Sequence, residues 1–306
     1  MTERLAVVAL DVGGTGMKCA LVRPDGVVHH TERHPTGAAR GGQAVVDTIL
    51  DIAAALAARA RGDGLVPVAA GCAVPGVVDE ATGTAVWAAN IGFRDVPLRD
   101  LLTDRLGLPA ALGHDVRAGG LAEARLGAGG DHRHVLFVAI GTGIAAAHVV
   151  DGRAFAGAHG AAGEVGHVVV RPGGPPCGCG SRGCLESVAS AAAIGRRYAA
   201  LSGEHGTAAA DVAARAAKGE DLATRVWREA VDALADGLLT AQALYDAEVI
   251  VIGGGLAEAG DTLLGPLRTA LSARLTFHRP PVLVGAALGD EAGCLGAALL
   301  ALDTLS

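Results

Sequence analysis

Three cysteines lie close together in a segment rich in Gly and Pro: Cys177, Cys179 and Cys184. Thiolates at this spacing are typical ligands of a soft divalent metal such as Zn²⁺. The other three cysteines are scattered in apolar sequence. Because the N-terminus shows no cationic stretch followed by an apolar run, we expect no secretory signal and a cytoplasmic protein without a disulfide framework. The crowded cysteines therefore predict a metal site.

Three glycine-rich turns have the residue types needed to hold phosphate or nucleotide. The first is DVGGTGMK (Asp11–Lys18), the second is Gly141–Gly143 and the third is Gly253–Gly255, each after a short apolar run. Glycine lets the backbone approach a ligand closely, and successive N–H groups with the hydroxyl of Thr15 can surround a phosphate. None of the three matches a Walker A loop or a dinucleotide fingerprint. Each alone is also explained by an ordinary turn.

The surrounding sequence predicts an α/β protein, because apolar runs typical of buried strands alternate with amphipathic helical segments. The predicted strands include Leu5–Leu10, Met17–Val22, Val27–Thr31, Val66–Val74, Val135–Ile140 and Glu248–Ile252. The predicted helices include Ala44–Arg61, Asp115–Leu126, Ser187–Leu201, Asp221–Tyr245, Thr262–Ala273 and Glu291–Leu300. The opening pattern of strand, glycine turn and second strand recurs at residues 135–150, which indicates an internal duplication and two related domains.

The composition excludes several classes of protein. The 306 residues are 51% hydrophobic and 19% charged, and the net charge is −7. This acidic balance, with only 3% aromatic residues, argues against a nucleic-acid partner. No apolar run reaches the roughly 20 residues that span a bilayer, so we expect no membrane association. An anionic substrate must then be held by local dipoles or a metal ion rather than by a broad positive field.

Taken together, the three turns resemble those of the sugar kinase and actin-like ATPase superfamily. More specifically, the chain is similar over nearly its whole length to the ROK family of bacterial sugar kinases. The segment EVGH (Glu164–His167) matches the family's E-x-G-H, and CGCGSRGCLE (Cys177–Glu186) matches C-x-C-G-x-x-G-C-x-E. Asp115, at a predicted strand-to-helix corner, occupies the position of the family's catalytic aspartate.

The resemblance implies two actin-like ATPase domains of the ribonuclease H-like type with a cleft between them. The first would comprise residues 1–113, completed by the C-terminal helix at 291–306. The second, larger domain would comprise residues 114–290 and carry the metal loop. Family members commonly form dimers or tetramers, so we expect a homo-oligomer.

The resemblance also implies roles for individual residues, with Asp115 as the catalytic base. The sugar would be bound by Asn90, His114, Asp115, Glu164, His167 and Glu186. The nucleotide and its magnesium would be bound by Asp11, Gly13, Gly14, Thr15, Lys18, Gly141, Thr142, Gly143, Gly254 and Gly255. A closed tetrahedral zinc site would be formed by His167, Cys177, Cys179 and Cys184. Four protein ligands leave no open position, so this zinc would be structural.

Several positions depart from the family pattern. His114 replaces the Asn that usually precedes the base, and Phe93 replaces a Trp. Arg117 adds a cation close to Asp115 in sequence, where it could lower the pKa of the base. The second glycine turn lacks the family's later glycines. Because the usual Asn contacts sugar hydroxyls, His114 leaves the sugar preference open.

We therefore expect an ATP-dependent hexose kinase that phosphorylates a primary hydroxyl, with ATP, Mg²⁺ and structural Zn²⁺ as cofactors. Glucose is the first candidate substrate. One alternative is a kinase of N-acetylglucosamine or N-acetylmannosamine, and another is a catalytically weak, sugar-binding regulatory relative. ROK repressors carry an added helix-turn-helix domain ahead of the first phosphate motif. Because Asp11 lies so near the start of the sequence, we expect no such domain.

Overall fold

The computed structural model describes residues 4–305, and strands and helices alternate along them. The strands are β1 (Leu5–Val12), β2 (Gly16–Val22), β3 (Val28–Pro35), β4 (Val66–Val74), β5 (Val77–Asp79), β6 (Thr84–Ala88), β7 (Phe93–Val96), β8 (Ala110–His114), β9 (His134–Ile140), β10 (Ile144–Val150), β11 (Arg153–Ala154), β12 (Val249–Gly253) and β13 (Val282–Gly285). The α-helices are α1 (Gly42–Gly62), α2 (Leu98–Leu106), α3 (Asp115–Leu126), α4 (Leu185–Ala189), α5 (Ala191–Ser202), α6 (Ala209–Ala217), α7 (Asp221–Tyr245), α8 (Asp261–Ser272) and α9 (Ala292–Asp303). Short 3-10 helices occupy Ala38–Arg40, Val165–His167, Gly255–Ala259 and Gly289–Glu291. The predicted α/β class is confirmed, and residues 1–3 and 306 of the predicted first domain lie outside the described residues.

The described chain divides into two compact units. The first comprises the chain up to Leu126, the segment Ala154–Ala162 and the chain from Asp290 onward, and the second comprises Gly127–Arg153 and Gly163–Gly289. The first unit extends past residue 113 because α3 packs against α9, which itself packs against β1, β4 and β8. The catalytic-base candidate at the start of α3 therefore belongs to the same unit as the first glycine turn.

A five-stranded mixed sheet organises the first unit, in the order β3-β2-β1-β4-β8. β1 pairs antiparallel with β2 and parallel with β4, which in turn pairs parallel with β8. β1 and β4 are buried along nearly their whole length, which explains their continuous apolar sequences. A smaller antiparallel sheet, in the order β5-β6-β7, carries Asn90 in the turn between its last two strands.

The second unit repeats the layout of the first. Its sheet has the order β11-β10-β9-β12-β13, with β9 antiparallel to β10 and parallel to β12, and β12 parallel to β13. In both units a central strand continues through a glycine turn into an antiparallel partner. The internal duplication predicted from the sequence is therefore confirmed in the strand order.

One predicted helix is interrupted. The sequence predicts a single helix over Ser187–Leu201, but α4 ends at Ala189 and Ser190 is extended, with φ −66° and ψ 157°. The hydroxyl of Ser190 accepts a hydrogen bond from the N–H of Ala193, so it caps the new helix α5. The sequence also missed α2, α6 and the small sheet. Within residues 4–305, none of the helices has both the length and the apolar character needed to cross a membrane.

Candidate active site

The first glycine turn joins β1 to β2, and a buried threonine forms hydrogen bonds with its backbone. The N–H of Gly13 donates to the carbonyl of Gly16 at 2.8 Å, which closes the turn. The hydroxyl of Thr36 donates to the Gly13 carbonyl at 2.6 Å, and the Thr36 N–H donates to the Thr15 carbonyl at 3.0 Å. Thr36 is completely buried. These bonds satisfy the carbonyls of the turn and fix its shape before any ligand arrives.

Asn90 lies beside this turn. A Cβ atom built on Gly14 would come within 2.9 Å of the Asn90 Nδ2 atom, so only glycine allows the amide this close. The Asn90 side chain is on an exposed residue of the β6–β7 turn. Phe93, three positions on, is instead buried in the core of the first unit, so its ring is a packing group.

Asp11 is a largely buried carboxylate near the end of β1. Burial, with the nearby charges of Asp115 and Asp290 and against the opposing charge of Lys18, raises the pKa of Asp11 to about 6. The Lys18 ammonium is bound to Asp290 at 2.9 Å. A Cβ atom on Gly293 in α9 would lie 2.2 Å from the Asp11 Oδ2 atom, so the helix backbone confines the carboxylate. A confined carboxylate whose charge is disfavoured is a good partner for a divalent cation.

Asp115 stands at the corner where β8 ends and α3 begins. The N–H of Val116 donates to Asp115 Oδ1 at 2.7 Å, and His114 Nε2 lies 3.4 Å from the same oxygen. The Asp115 side chain is 29% exposed, so its carboxylate can meet a substrate. The guanidinium of Arg117 donates from Nε to Glu80 Oε1 at 2.8 Å. Arg117 therefore forms its ion pair with Glu80 and not, as its place in the sequence suggested, with the base Asp115.

The second glycine turn, Gly141–Gly143, joins β9 to β10. The N–H of Gly141 donates to the Gly143 carbonyl at 2.9 Å, and the Ala191 N–H at the start of α5 donates to the Gly141 carbonyl at 2.9 Å. Glu186 Oε2 accepts the Ile144 N–H at 3.0 Å, and a Cβ atom on Gly143 would lie 2.5 Å from that oxygen. Glu186 therefore supports the turn with one carboxylate oxygen.

The second unit has two adjoining pockets, one bordered by the third glycine turn and the other by the second glycine turn. Gly254 has φ +76° and approaches the end of β9, where an added Cβ atom would lie 2.5 Å from the Ile140 carbonyl oxygen. One pocket of about 510 Å³ is lined by Gly255, Leu256, Thr262 and Trp227. The other, of about 500 Å³, is lined by Thr142, Arg196 and His205. Ala191, Ala208 and Ala209 line both. A larger pocket of about 620 Å³ is lined by Pro175, Pro176 and Val226.

The cysteines and one histidine come together in the second unit. One ligand atom each from His167, Cys177, Cys179 and Cys184 lies within 4.8 Å of all the others. Two thiolates bound to one tetrahedral Zn²⁺ at about 2.3 Å should lie about 3.8 Å apart. Cys179 Sγ and Cys184 Sγ are 3.7 Å apart, and Cys177 Sγ is 3.6 Å from His167 Nδ1. The donor set and its spacing fit a zinc ion.

The Cys184 thiol resists ionisation unless a cation is present. Burial, followed by hydrogen bonds with Cys179 and Cys177, raises the pKa of Cys184 to about 11. The N–H of Ser181 lowers the pKa of Cys179. A bound divalent metal deprotonates its thiol ligands outright, which would relieve this conflict.

The remaining sugar-site candidates of the second unit lie at the Val165–His167 helix. Glu164 immediately precedes it, and Glu164 Oε2 lies 3.6 Å from His167 Nε2. The two nitrogens of His167 therefore face different groups, Nδ1 the cysteines and Nε2 the Glu164 carboxylate. This arrangement lets one imidazole bind a metal and orient a carboxylate at once.

The predicted site residues thus fall into two sets. The first unit holds Asp11, Gly13, Gly14, Thr15, Lys18, Asn90, His114 and Asp115. The second unit holds Gly141, Thr142, Gly143, Glu164, His167, Cys177, Cys179, Cys184, Glu186, Gly254 and Gly255. Sequence reasoning missed Thr36, which holds the first turn, and Glu80, which pairs with Arg117. Both act through contacts distant in sequence, and no local pattern marks them.

Comparison with known proteins decides the family. The profile of the ROK family matches residues 7–304. The chain belongs to the ROK family. The resemblance carried by the E-x-G-H and cysteine motifs is thereby confirmed.

ROK proteins similar to this chain include two curated kinases and a solved complex. A glucokinase of Halalkalibacterium halodurans is 34% identical over 313 residues, covering 94% of this chain and 92% of its own. An N-acetylmannosamine kinase of Shigella boydii serotype 18 is 32% identical over 302 residues, covering 97% and 98%. The crystal structure of a ROK glucokinase from Streptomyces griseus in complex with glucose and AMPPNP matches with a TM-score of 0.80 at 30% identity, over 97% of this chain and 99% of that one. The actin-like ATPase type of α/β fold is therefore confirmed.

Proposed function

We propose that this ROK protein is a hexose kinase that transfers the γ-phosphoryl group of ATP to the primary hydroxyl of a sugar. One observation carries the proposal: Asp11, near the end of β1, and Asp115, directly after β8, lie at the same edge of the sheet, on the two parallel strands that flank β4. The charge of Asp115 contributes to the raised pKa of Asp11. Phosphoryl transfer needs a base and a metal-binding carboxylate close together.

Asp115 is assigned the role of general base. Its partly exposed carboxylate accepts the proton of the sugar hydroxyl as the oxygen attacks phosphorus. The bonds from Val116 N–H and the neighbouring His114 orient that carboxylate. Proton acceptance by a positioned side chain typically contributes about 10²–10⁴-fold to a rate.

Asp11 and the glycine turns are assigned to the phosphates. Asp11 would hold Mg²⁺, directly or through water, and the ion would supply positive charge to the transferring group. The Gly13 and Gly141 N–H groups close their own turns, so the N–H groups of Gly14, Thr15, Thr142 and Gly143 are assigned as donors to phosphate oxygens. Lys18, paired with Asp290, contributes positive charge near Asp11.

The adenosine half of ATP is assigned to the adjoining pockets beside Gly255. Their walls of alanine, with Leu256 and Trp227, suit a flat, weakly polar base. Thr142 lines one of them, so the pocket leads back to the second phosphate turn. The relative solved with AMPPNP supports ATP as the donor.

Sugar hydroxyls are assigned to Asn90, His114, Glu164, His167 and Glu186. Carboxylates and imidazoles make charge-assisted hydrogen bonds to hydroxyl groups. Zn²⁺ is assigned a structural role, because it would order the loop that supplies His167 and Glu186. The glucokinase relative favours glucose, and the N-acetylmannosamine kinase relative keeps an N-acetylhexosamine as the second candidate.

A coupled assay of ADP release tests the proposal. Mg-ATP is offered with glucose, mannose, N-acetylglucosamine and N-acetylmannosamine, and a reaction without sugar serves as the control. Turnover that requires one of these sugars supports the kinase and identifies its substrate. Zinc-containing protein that binds a sugar but releases no ADP would instead be a regulatory relative.

A further inference from the structure

Arg117 is an almost completely buried cation on the first turn of α3, only 3% exposed. Its Nε donates to Glu80 Oε1 at 2.8 Å and its Nη1 donates to the Gly160 carbonyl at 2.8 Å. Glu80 Oε1 also accepts the backbone N–H of His114 at 3.3 Å. The Nη2 group has no hydrogen-bond acceptor among residues 4–305. Among residues 4–305, the Glu80 carboxylate and the Gly160 carbonyl are therefore the acceptors that position the Arg117 guanidinium.

These contacts join three separate pieces of the first unit. Glu80 directly follows β5, His114 ends β8 next to Asp115, and Gly160 belongs to the segment Ala154–Ala162. Gly160 itself is packed tightly, because an added Cβ atom would lie 2.4 Å from the Val78 carbonyl oxygen. The segment therefore has two fixed points near its end, the β5 backbone and the Arg117 guanidinium.

This arrangement bears on the reaction through the residue that precedes the base. Glu80 accepts the backbone N–H of His114, which is followed by Asp115. The partner of Glu80, Arg117, holds the Gly160 carbonyl. One ion pair thus constrains both the catalytic corner and the end of the Ala154–Ala162 segment.

We propose that Glu80 and Arg117 are positioning residues that hold Asp115 and the Ala154–Ala162 segment in the geometry for phosphoryl transfer. The inference rests on the proposed function, in which Asp115 is the base. Neither residue touches the reacting atoms. Both act through the backbone of His114 and Gly160.

The chemistry of arginine suits this role. Its planar fork holds two acceptors in a fixed mutual geometry, whereas a lysine ammonium is a single point on a flexible stem. Removing one partner of a buried pair leaves an uncompensated charge, but replacing both by neutral groups of similar size is often tolerated. Misplacement of a reacting group by about 1 Å can lower a rate by about 10²-fold. A suitable choice of variants can therefore separate the effect of the ion pair on kcat, through positioning, from its effect on Tm, through stability.

The test compares Arg117→Lys, Glu80→Gln and the double variant Glu80→Gln/Arg117→Met with wild type. Arg125→Lys is the matched control, because Arg125 is on the same helix and forms a surface ion pair with Asp303 at 2.8 Å. Sugar-dependent kcat, KM for Mg-ATP and Tm are measured for each. Hydrogen exchange of the Ala154–Ala162 amides is followed in wild type, Arg117→Lys and Arg125→Lys.

We expect kcat to fall at least about tenfold in both single variants and in the double variant, with KM for Mg-ATP within about twofold of wild type. The double variant should recover most of the lost Tm without recovering kcat. Exchange at Ala154–Ala162 should quicken in Arg117→Lys and stay unchanged in Arg125→Lys.

Two results would overturn the inference. In one, Arg117→Lys keeps wild-type kcat and exchange. In the other, kcat of the double variant returns together with Tm, which would make the pair a stabilising feature only. If wild type shows no sugar-dependent turnover, the proposed function fails instead, and the exchange comparison still decides whether the pair anchors the segment.

Discussion

Gly293→Ala should disable the enzyme by moving a carboxylate rather than by removing one. A Cβ atom at position 293 would lie 2.2 Å from Asp11 Oδ2 and 2.3 Å from Asp11 Cγ, where ordinary contacts are 3.4–4 Å. The carboxylate must therefore move by about 1 Å or more. A displacement of about 1 Å typically lowers a rate by about 10²-fold, which corresponds to about 2.7 kcal/mol in activation free energy.

Folding should survive this change better than activity does. Gly293 lies within α9 and has no positive φ, so alanine gains up to about 1 kcal/mol in helix propensity, which offsets part of the clash. Gly62→Ala is the matched control, because Gly62 is also helical and an added Cβ atom there meets nothing within 4 Å.

The coupled ADP-release assay, run over a range of Mg²⁺ concentrations, measures the effect. We expect a kcat about 100-fold below wild type for Gly293→Ala, a higher Mg²⁺ requirement and a kcat within about twofold of wild type for Gly62→Ala. A folded Gly293→Ala protein with the kcat and Mg²⁺ requirement of Gly62→Ala would refute the assignment of Asp11 to the metal.

Three further changes test other parts of the site. Asp11→Asn should raise the unfolding free energy of the metal-free protein by up to about 3 kcal/mol near pH 8 and by about half that near pH 5. The reason is that a carboxyl pKa raised from 3.8 to about 6 on folding makes the ionised Asp11 side chain destabilising as the pH rises. Urea titrations at the two pH values measure the difference, and equal unfolding free energies of wild type and variant at both would contradict the raised pKa. Cys179→Ser should reduce the zinc content from about one ion per chain to near zero and should lower Tm. Elemental analysis and calorimetry measure the two quantities, and a wild-type protein that contains no zinc would contradict the proposed zinc site. His114→Asn should change the ratio of kcat/KM between glucose and the N-acetylhexosamines, and an unchanged ratio would mean that His114 does not touch the sugar.

Local sequence predicted the parts of the fold whose signals are local. The apolar runs before Asp11 and before Gly141 predicted buried strands, and the glycines predicted tight turns into antiparallel partners. The repeat of that pattern predicted the matching strand order of the two units. The sequence predicted Asp115 as the residue at which a helix begins, and only the resemblance to the ROK family predicted it as the base.

Contacts between distant segments were not predictable in this way. The bond from Thr36 to the Gly13 carbonyl and the pairing of Glu80 with Arg117 depend on how separate strands are brought together. The sequence placed Arg117 near the base by its number alone, whereas its side chain pairs with Glu80, directly after β5. The break at Ser190 was missed because the alanines that follow it have high helix propensity, whereas capping by the Ser190 hydroxyl decides the boundary.

The most direct test of the central claim compares wild type with Asp115→Asn. Sugar-dependent ADP release and sugar affinity, the latter by calorimetry, are measured on both proteins with the preferred sugar. We expect kcat to be lower by about 10²–10⁴-fold in Asp115→Asn, with a sugar Kd within about threefold of wild type. The asparagine amide keeps the shape of the aspartate side chain but cannot accept the proton of the sugar hydroxyl. A variant that phosphorylates the sugar at the wild-type rate would contradict the assignment of Asp115 as the base.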